Sequence, residues 1–451
     1  MSNTFRVAVV VAMTLSLLLG SSCAPTSSEP SSVPTVDTVT TVSLTTTTVP
    51  TTTSTEPRSG FRFYKVDPNT LQPVEGLEQL YTGDTHGLVS PSGRWLVLES
   101  WGEGRWLIDT ESWEIAARFR PWGSLMAVQD DGTVYGVDWG PALTIRRFPL
   151  GGEDWEEVVT VEPPLDLWSN PTFLDEHRLA ARGYSEETYL DGDLTVNLID
   201  VDSGTWKEIP VPQAWIPGEP TGIVLDGYEI TRYHEPAVVF TQDKAYVVHG
   251  HEDVITEVDL STGEVMGHPF GTKVSLLDAL SAWFAAQAVA KGPAPGVRRT
   301  ALISDDGSKL YLSGYHTEVA EEEGQVRETT VPLGVQVIDT RNWQVEETLN
   351  LPVGTLHLSP DGSMLLAAGY NESEVFAIST NTYHVTRFDK AGHEWFTTIE
   401  FSVDGSYAYL SHEFRVEVLD LQRLEIVAET RSTRPLRIWG PAAVVSEWLG
   451  Q

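Results

Sequence analysis

The sequence predicts an all-β fold in which four-stranded antiparallel units repeat around a closed ring. Three observations predict it. One unit of strand, turn, strand, loop, strand, turn and strand is legible in residues 355–388. Its two halves recur along the chain, and the order in which the halves come asks the two ends of the chain to meet.

The clearest unit starts with an apolar run at Leu356 and Leu358, turns at Ser359-Pro360-Asp361-Gly362, and continues through Met364 to Ala368. A polar loop from Tyr370 to Ser373 follows, then Val375 to Ile378, a Ser-Thr-Asn turn, and a last strand from Tyr383. Proline presets φ for the first turn, and Asp-Gly tolerates its closing positions. A lone meander cannot bury both of its faces, so it needs copies on either side.

The copies are present. The first half, strands a and b, recurs at 86–99, 125–138, 172–182, 237–249, 300–314, 355–369, 397–412 and 436–448. The second half, strands c and d around a short turn, recurs at 63–77, 106–119, 144–161, 197–211, 254–270, 335–351, 375–388 and 416–430. The chain opens on a c–d half and closes on an a–b half. One blade built from both ends would leave no open strand edge. The expected architecture is therefore a β-propeller of eight blades. Seven blades are the alternative, because the third and the last a–b halves match the pattern weakly.

Two segments fall outside this pattern. Residues 1–22 place Arg6 before the apolar run Val7 to Leu19, which is too short to span a bilayer as a helix and has the form of a signal peptide. The small residues Gly20-Ser21-Ser22 then precede Cys23, the single cysteine of the chain. This has the form of a bacterial lipoprotein cleavage box, with Leu19 one residue further from the cysteine than is usual. Cys23 is the expected lipidation site, with ordinary secretion as the alternative. A diacylated cysteine would hold the protein on the membrane. One cysteine allows no intrachain disulfide. Residues 23–59 are almost wholly Thr, Ser, Pro and Val, and lack the large apolar side chains that offset chain entropy. They are expected to be a disordered tether, extended at about 3.1 Å per residue. Residues 60–451 are the expected propeller domain.

Within that domain one helix is expected at 275–291. Ser275 and Asp278 form a capping box, and Leu276, Leu277, Leu280, Trp283 and Phe284 follow helical spacing. The sequence leaves open whether this helix covers the central channel or faces a partner.

The net charge of −35 argues against nucleic acid or an anionic membrane surface as partner, since both need a basic face. The segment VQVIDTRNWQVEETLNLPVG followed by LHLSPDGSMLLAAG, residues 335–369, resembles the YVTN-type, WD40-like β-propeller repeat. The resemblance covers nearly all of 61–448 at the level of repeat pattern, although the Tyr-Val-Thr-Asn itself is absent. It implies the fold and a surface or secreted location. Propellers at large include lactonases, redox enzymes and pure scaffolds, so it says little about chemistry.

The long links point to one face. In the repeat phase, 214–236 and 273–299 are d–a links, while 184–195 and 316–333 are b–c links, and both kinds lie on the face named top. The a–b and c–d turns on the opposite face are expected to be two to five residues. Loops lengthened on one face of a rigid scaffold are where binding usually lives. His249, His251 and Glu252 begin one b–c link, His316 and Glu318 a second, and His412 and Glu413 a third. These seven are the candidate ligand-binding residues. Imidazole with carboxylate suits zinc, iron or copper, so a metal ion is the alternative to the expectation of no cofactor.

No H-E-x-x-H, C-x-x-C, G-x-S-x-G, P-loop or G-x-G-x-x-G occurs, and no catalytic residue is assigned. The aspartates repeated in strand c (Asp67, Asp109, Asp200, Asp259, Asp339, Asp420) are expected to cap turns. Trp113, Trp155, Trp206 and Trp343 are expected to pack between blades. The function expected is a non-enzymatic binding or scaffold lipoprotein, extracytoplasmic and monomeric. Its partner is a protein, peptide or glycan. The alternative is a metal-dependent or lactonase-like enzyme with a His/Glu rim.

Overall fold

The computed structural model describes residues 60–448 except for 271–294 and short stretches of the links at 76, 78–79, 83–86, 101–103, 140–141, 162–165, 168–171, 185–192, 215, 226–227, 323–324, 370–373 and 389–395. The expected signal peptide, Cys23, the tether and the helix at 275–291 all lie outside the described residues.

The predicted strand pairs form, with one shift: the d strand expected within 63–77 lies at Leu80–Thr82. The described strands form eight sheets, each with a four-stranded antiparallel core ordered a, b, c, d. Seven of these cores draw their strands from one stretch of chain. We number them sheet 2 (87–119), sheet 3 (124–161), sheet 4 (172–211), sheet 5 (237–269), sheet 6 (296–349), sheet 7 (355–388) and sheet 8 (396–431). Sheet 1 is composite. Leu436–Trp439 and Val444–Trp448 from the C-terminal end pair with Phe61–Lys65 and Leu80–Thr82 from the N-terminal end. The seam runs in register from Phe61 opposite Trp448 to Lys65 opposite Val444. Arg62 forms an ion pair with Glu447, its register partner across the seam.

The core explains why the strands alternate as they do. Each pair of neighbouring sheets shares one apolar cluster. Trp95, Val97, Phe119, Val134 and Phe148 join sheets 2 and 3, and Ala245, Val247, Leu194 and Val211 join sheets 4 and 5. Tyr409, Val418, Ile438 and Val445 join sheet 8 to sheet 1, and Phe63, Leu96, Ile108 and Trp439 join sheet 1 to sheet 2. The succession of clusters returns to its start, so burial holds the ring closed without any covalent link.

The repeated aspartates act in the turns. Asp67, Asp109, Asp200, Asp259, Asp339 and Asp420 each accept backbone N–H bonds from residues two or three positions on. The residue four positions after the aspartate closes the turn with its own N–H and takes positive φ. It is Gly204 or Gly263 in two turns, but Leu71, Trp113, Trp343 and Leu424 in others. A large side chain tolerates the left-handed region here because it is held by packing: Leu71 and Trp113 are buried, and Trp343 packs against the cluster between sheets 5 and 6. Trp206 lies within the strand Thr205–Val211, not at this turn position, and packs on the cluster between sheets 3 and 4.

Two connections on the opposite face exceed the expected two to five residues. The c–d connection of sheet 1 runs from 66 to 79 and that of sheet 3 from 149 to 155. The first holds itself in place through the bridge between Val66 and Pro73. Among the described residues no helix is long and apolar enough to cross a membrane.

Candidate functional site

Sheet 6 is larger than its neighbours at one end. Its strand Lys309–Glu322 runs beyond the start of its inner strand, where Thr317 pairs with Gly296, and turns back through Gln325–Pro332. The overhang past Thr317 is roughly 15 Å long at the usual rise of a strand. The link 214–236, expected as a loop, is a second hairpin. Ile216–Leu225 pairs with Tyr228–Glu235, and the latter joins Gly296–Ile303 in parallel. The parallel register sets Tyr233 against Gly296, His234 against Val297 and Glu235 against Arg298. Both hairpins therefore rise from the same end of sheet 6, the end that carries the d–a and b–c links.

The close fit depends on glycine. A Cβ on Gly296 would stand 1.7 Å from the Tyr233 carbonyl oxygen, and its φ of 127° is open to glycine alone among common residues. A Cβ on Gly250 would stand 2.3 Å from the His234 carbonyl oxygen. Gly250 sits between His249 and His251, so its bare backbone lets the hairpin settle on the b–c link of sheet 5. Side chains pin the arrangement. Arg298 donates to both carboxylate oxygens of Glu235 at 2.8 and 3.0 Å, Arg299 pairs with Asp253 at 3.0 Å, and Arg182 donates to the Pro236 carbonyl at 2.9 Å.

This packing gathers three imidazoles. The ring centroids of His249 and His251 lie 6.2 Å apart, and those of His251 and His234 lie 6.5 Å apart. His249 is buried, with 6% of its surface exposed, and its Nε2 lies 2.8 Å from the Thr256 hydroxyl. Glu252 Oε1 is 3.8 Å from His251 Nε2. The Nδ1 atoms of His234 and His251 are buried and meet no hydrogen-bond partner among the described residues, while the His249 ring also has the Gln213 backbone beside it. Burial holds His234 and His249 below the usual imidazole pKa, and the neighbouring His251 pushes both in the same direction. Burial therefore favours the neutral form of both rings. Near His234, Arg232 and Glu219 face one another at 3.5 Å and largely offset each other's charge.

The remaining candidates divide. His316 stands on the overhanging strand, in register with Val297 and hence two strands from His234, and Glu318 Oε1 is 3.8 Å from its Nε2. It lies close enough for its charge to act on His234. His412 does not join this group. It is fully buried in sheet 8, where its Nε2 is 3.0 Å from Glu417 Oε2 while Arg415 holds the other carboxylate oxygen at 3.2 Å. That is a buried polar tie, which orders the start of a strand. Glu413 is exposed, and its carbonyl receives the Leu436 N–H at 2.8 Å. His234 is the member that sequence reading missed. It ends a link that reads as irregular, and only the parallel pairing to Val297 turns it toward the b–c link of sheet 5. Among the described residues no group of three or more His, Cys, Asp or Glu side chains is placed to hold a metal ion.

The opposite face carries a groove of about 750 Å³ between sheets 3 and 4, lined by turn residues including Asp130, Asp131, Asp175, His177 and Asp202. Its carboxylates are engaged locally: Asp130 accepts from the Ser92 N–H, Asp131 from Thr133, and Asp175 from Arg178, while Asp202 pairs with His177.

No family model matches this chain, and no curated protein matches it. Solved structures do. Dihydro-heme d1 dehydrogenase NirN in complex with DHE aligns over 89% of this chain and 78% of its own, at 13% identity and a TM-score of 0.45. BamB from Moraxella catarrhalis aligns over 86% of this chain and 98% of its own, at 11% identity and a TM-score of 0.47. The β-propeller domain of Myceliophteria thermophila Cps50 (Swd1) aligns over 81% and 97%, at 14% identity and a TM-score of 0.38. At these TM-scores the likeness carries no argument, and the propeller assignment rests on the chain's own sheet order and inter-sheet clusters.

Proposed function

We propose that this chain is a YVTN-type propeller lipoprotein, held at the extracytoplasmic face of a cell membrane through Cys23. In this reading it binds a protein, peptide or glycan without catalysing a reaction. Each of the eight sheets is counted as one blade. The single observation that carries the binding role is the pair of hairpins raised from one end of sheet 6, at 216–235 and 316–332. On the opposite face the turns between strands a and b stay short, and only the c–d connections 66–79 and 149–155 are lengthened. A scaffold needs no such elaboration, whereas a binding face does.

The experiment is removal of the overhang, residues 318–329, with a Gly-Gly bridge in its place, followed by chemical cross-linking in intact cells. A partner that cross-links to the intact chain should be lost from the shortened one while the ring stays folded. Retention of the same partner at the same yield would remove the main support for this reading. Placement at the membrane is tested separately, since Cys23→Ser should release the protein into the soluble fraction.

The metal-dependent or lactonase-like alternative has a narrower basis than the sequence offered it. His412 is committed to Glu417, so any such chemistry would have to be built on His234, His249, His251 and His316.

A further inference from the structure

We propose that the outer edge of Gln325–Pro332, on the overhang of sheet 6, takes up an extended, basic segment of another polypeptide as an added strand. The inference rests on the partner-binding reading above and narrows its partner from a protein, peptide or glycan to a polypeptide bound through its backbone.

Open strand edges invite pairing, and folded proteins blunt them with bulges, prolines or brevity. The described outer strands of this ring follow that rule with one exception. In sheets 2, 3, 6 and 8 a break in register interrupts the pairing of the outermost d strand. In sheet 4 that strand carries Pro210, and in sheet 5 it has five residues and ends on Pro269. In sheets 1 and 7 it has three and four residues. Ile216–Leu225, the outer strand of the first raised hairpin, contains Pro217 and Pro220 and breaks register twice. Gln325–Pro332 is different. Its eight residues pair with Tyr315–Glu322 in unbroken register, and its proline comes only at the last position. Among the described strands it pairs with Lys309–Glu322 alone. Val326, Thr329, Thr330 and Val331 also give it the β-branched composition that favours a strand.

The phase of the edge follows from its end. In an antiparallel pair, residues alternate between bonding inward to the neighbour and pointing away from it. Leu333 bonds inward, its N–H reaching the Gly314 carbonyl at 2.9 Å. Pro332, opposite Tyr315, has no N–H and takes the outward phase, which Thr330, Glu328 and Val326 share. These three backbone positions are the ones an added strand would bond. Charge selects what is added. Residues 318–329 hold five glutamates and one arginine, and Glu318 and Glu321 are exposed, so a segment bearing lysine or arginine fits. A second copy of this chain does not fit. Antiparallel self-pairing with the greatest overlap of the outward positions sets Glu328 opposite Glu328, and two chains of net charge −35 repel.

The test titrates the full chain into a blocked, fluorophore-labelled heptapeptide of alternating lysine and valine and reads anisotropy. Saturable binding of one peptide per chain is expected, and a glutamate–valine peptide should not bind. N-methylation of alternate peptide nitrogens, which keeps charge and side chains but removes backbone donors, should weaken binding about tenfold or more. Val326→Pro removes one outward N–H, a change that an edge strand tolerates, and should weaken binding by a similar factor with an unchanged urea midpoint. The methylated peptide keeps the test decisive on the wild-type chain if that variant unfolds. No saturable binding, or equal affinity for the methylated and unmethylated peptides, would overturn the proposal. So would a concentration-dependent dimer that Val326→Pro abolishes, since it would give the edge to a second copy. In intact cells, Val326→Pro is cross-linked beside the 318–329 deletion. A partner lost from the deletion but kept by Val326→Pro would overturn the edge and leave the partner-binding reading standing. A partner kept by both would overturn the two together.

Discussion

At the residue scale, the repeated aspartates show how a polar group can recur without being catalytic. Asp259 accepts bonds from the Ser261 hydroxyl and from two backbone N–H groups, which hold its carboxyl at about 2. Asp306, bonded to the Ser304 and Ser308 hydroxyls, is also held at about 2. A carboxylate with a folded pKa below its unfolded value stabilises the fold above about pH 4, and that contribution disappears as the pH falls toward 2. The protein should therefore lose stability over that window. A double Asp259→Ala, Asp306→Ala variant should have a lower urea midpoint at pH 7 and a flatter midpoint-versus-pH curve between pH 4 and pH 2. Equal slopes in wild type and variant would show that these turns do not set the acid limb. The role of Asp259 and its five counterparts in strand c was legible in the sequence because all six occur at one phase of the repeat, whereas Asp306, in an a–b turn, was not singled out. His249 and His412 were not separable by sequence. Both stand at the end of the second strand of a blade, and only the structure shows one committed to a carboxylate and the other to the Thr256 hydroxyl.

At the element scale, the site depends on a backbone approach that side-chain patterns do not encode. Strand existence and order follow from alternation and turn chemistry and were legible for the described sheets, except that the d strand read within 63–77 lies at Leu80–Thr82. The link at 214–236 was not. Its proline and glycine content reads as irregular, and its strands exist because Tyr228–Glu235 finds a parallel partner in Gly296–Ile303, far along the chain. Gly250 is the point where this can be tested. Gly250→Ala places a methyl group against the His234 carbonyl and should cost about 1–3 kcal/mol in urea unfolding. It should also raise hydrogen exchange in Tyr228–Glu235 relative to the strands of sheet 7. An unchanged exchange pattern would mean that the hairpin does not rest on this glycine.

At the scale of the whole molecule, closure is carried by a sheet whose halves lie at opposite ends of the propeller sequence. Deleting residues 432–451 removes two strands of sheet 1 and opens the apolar clusters it shares with sheets 8 and 2. The shortened chain should lose cooperative unfolding and aggregate, because the exposed edge of the seam offers unpaired backbone to other molecules. A soluble, cooperatively folding product would mean that the ring tolerates an open blade. Closure also fixes two distinct faces, and the function proposed here assigns binding to one of them. The most direct test of that assignment is side-specific photo-cross-linking in intact cells. A photoreactive residue replaces Glu219 or Glu318 on the hairpin face, or Asp175 or Asp202 in the groove of the opposite face. The account predicts a discrete cross-linked species from the first pair and none from the second. Cross-linking from the groove positions, with none from the hairpins, would contradict it.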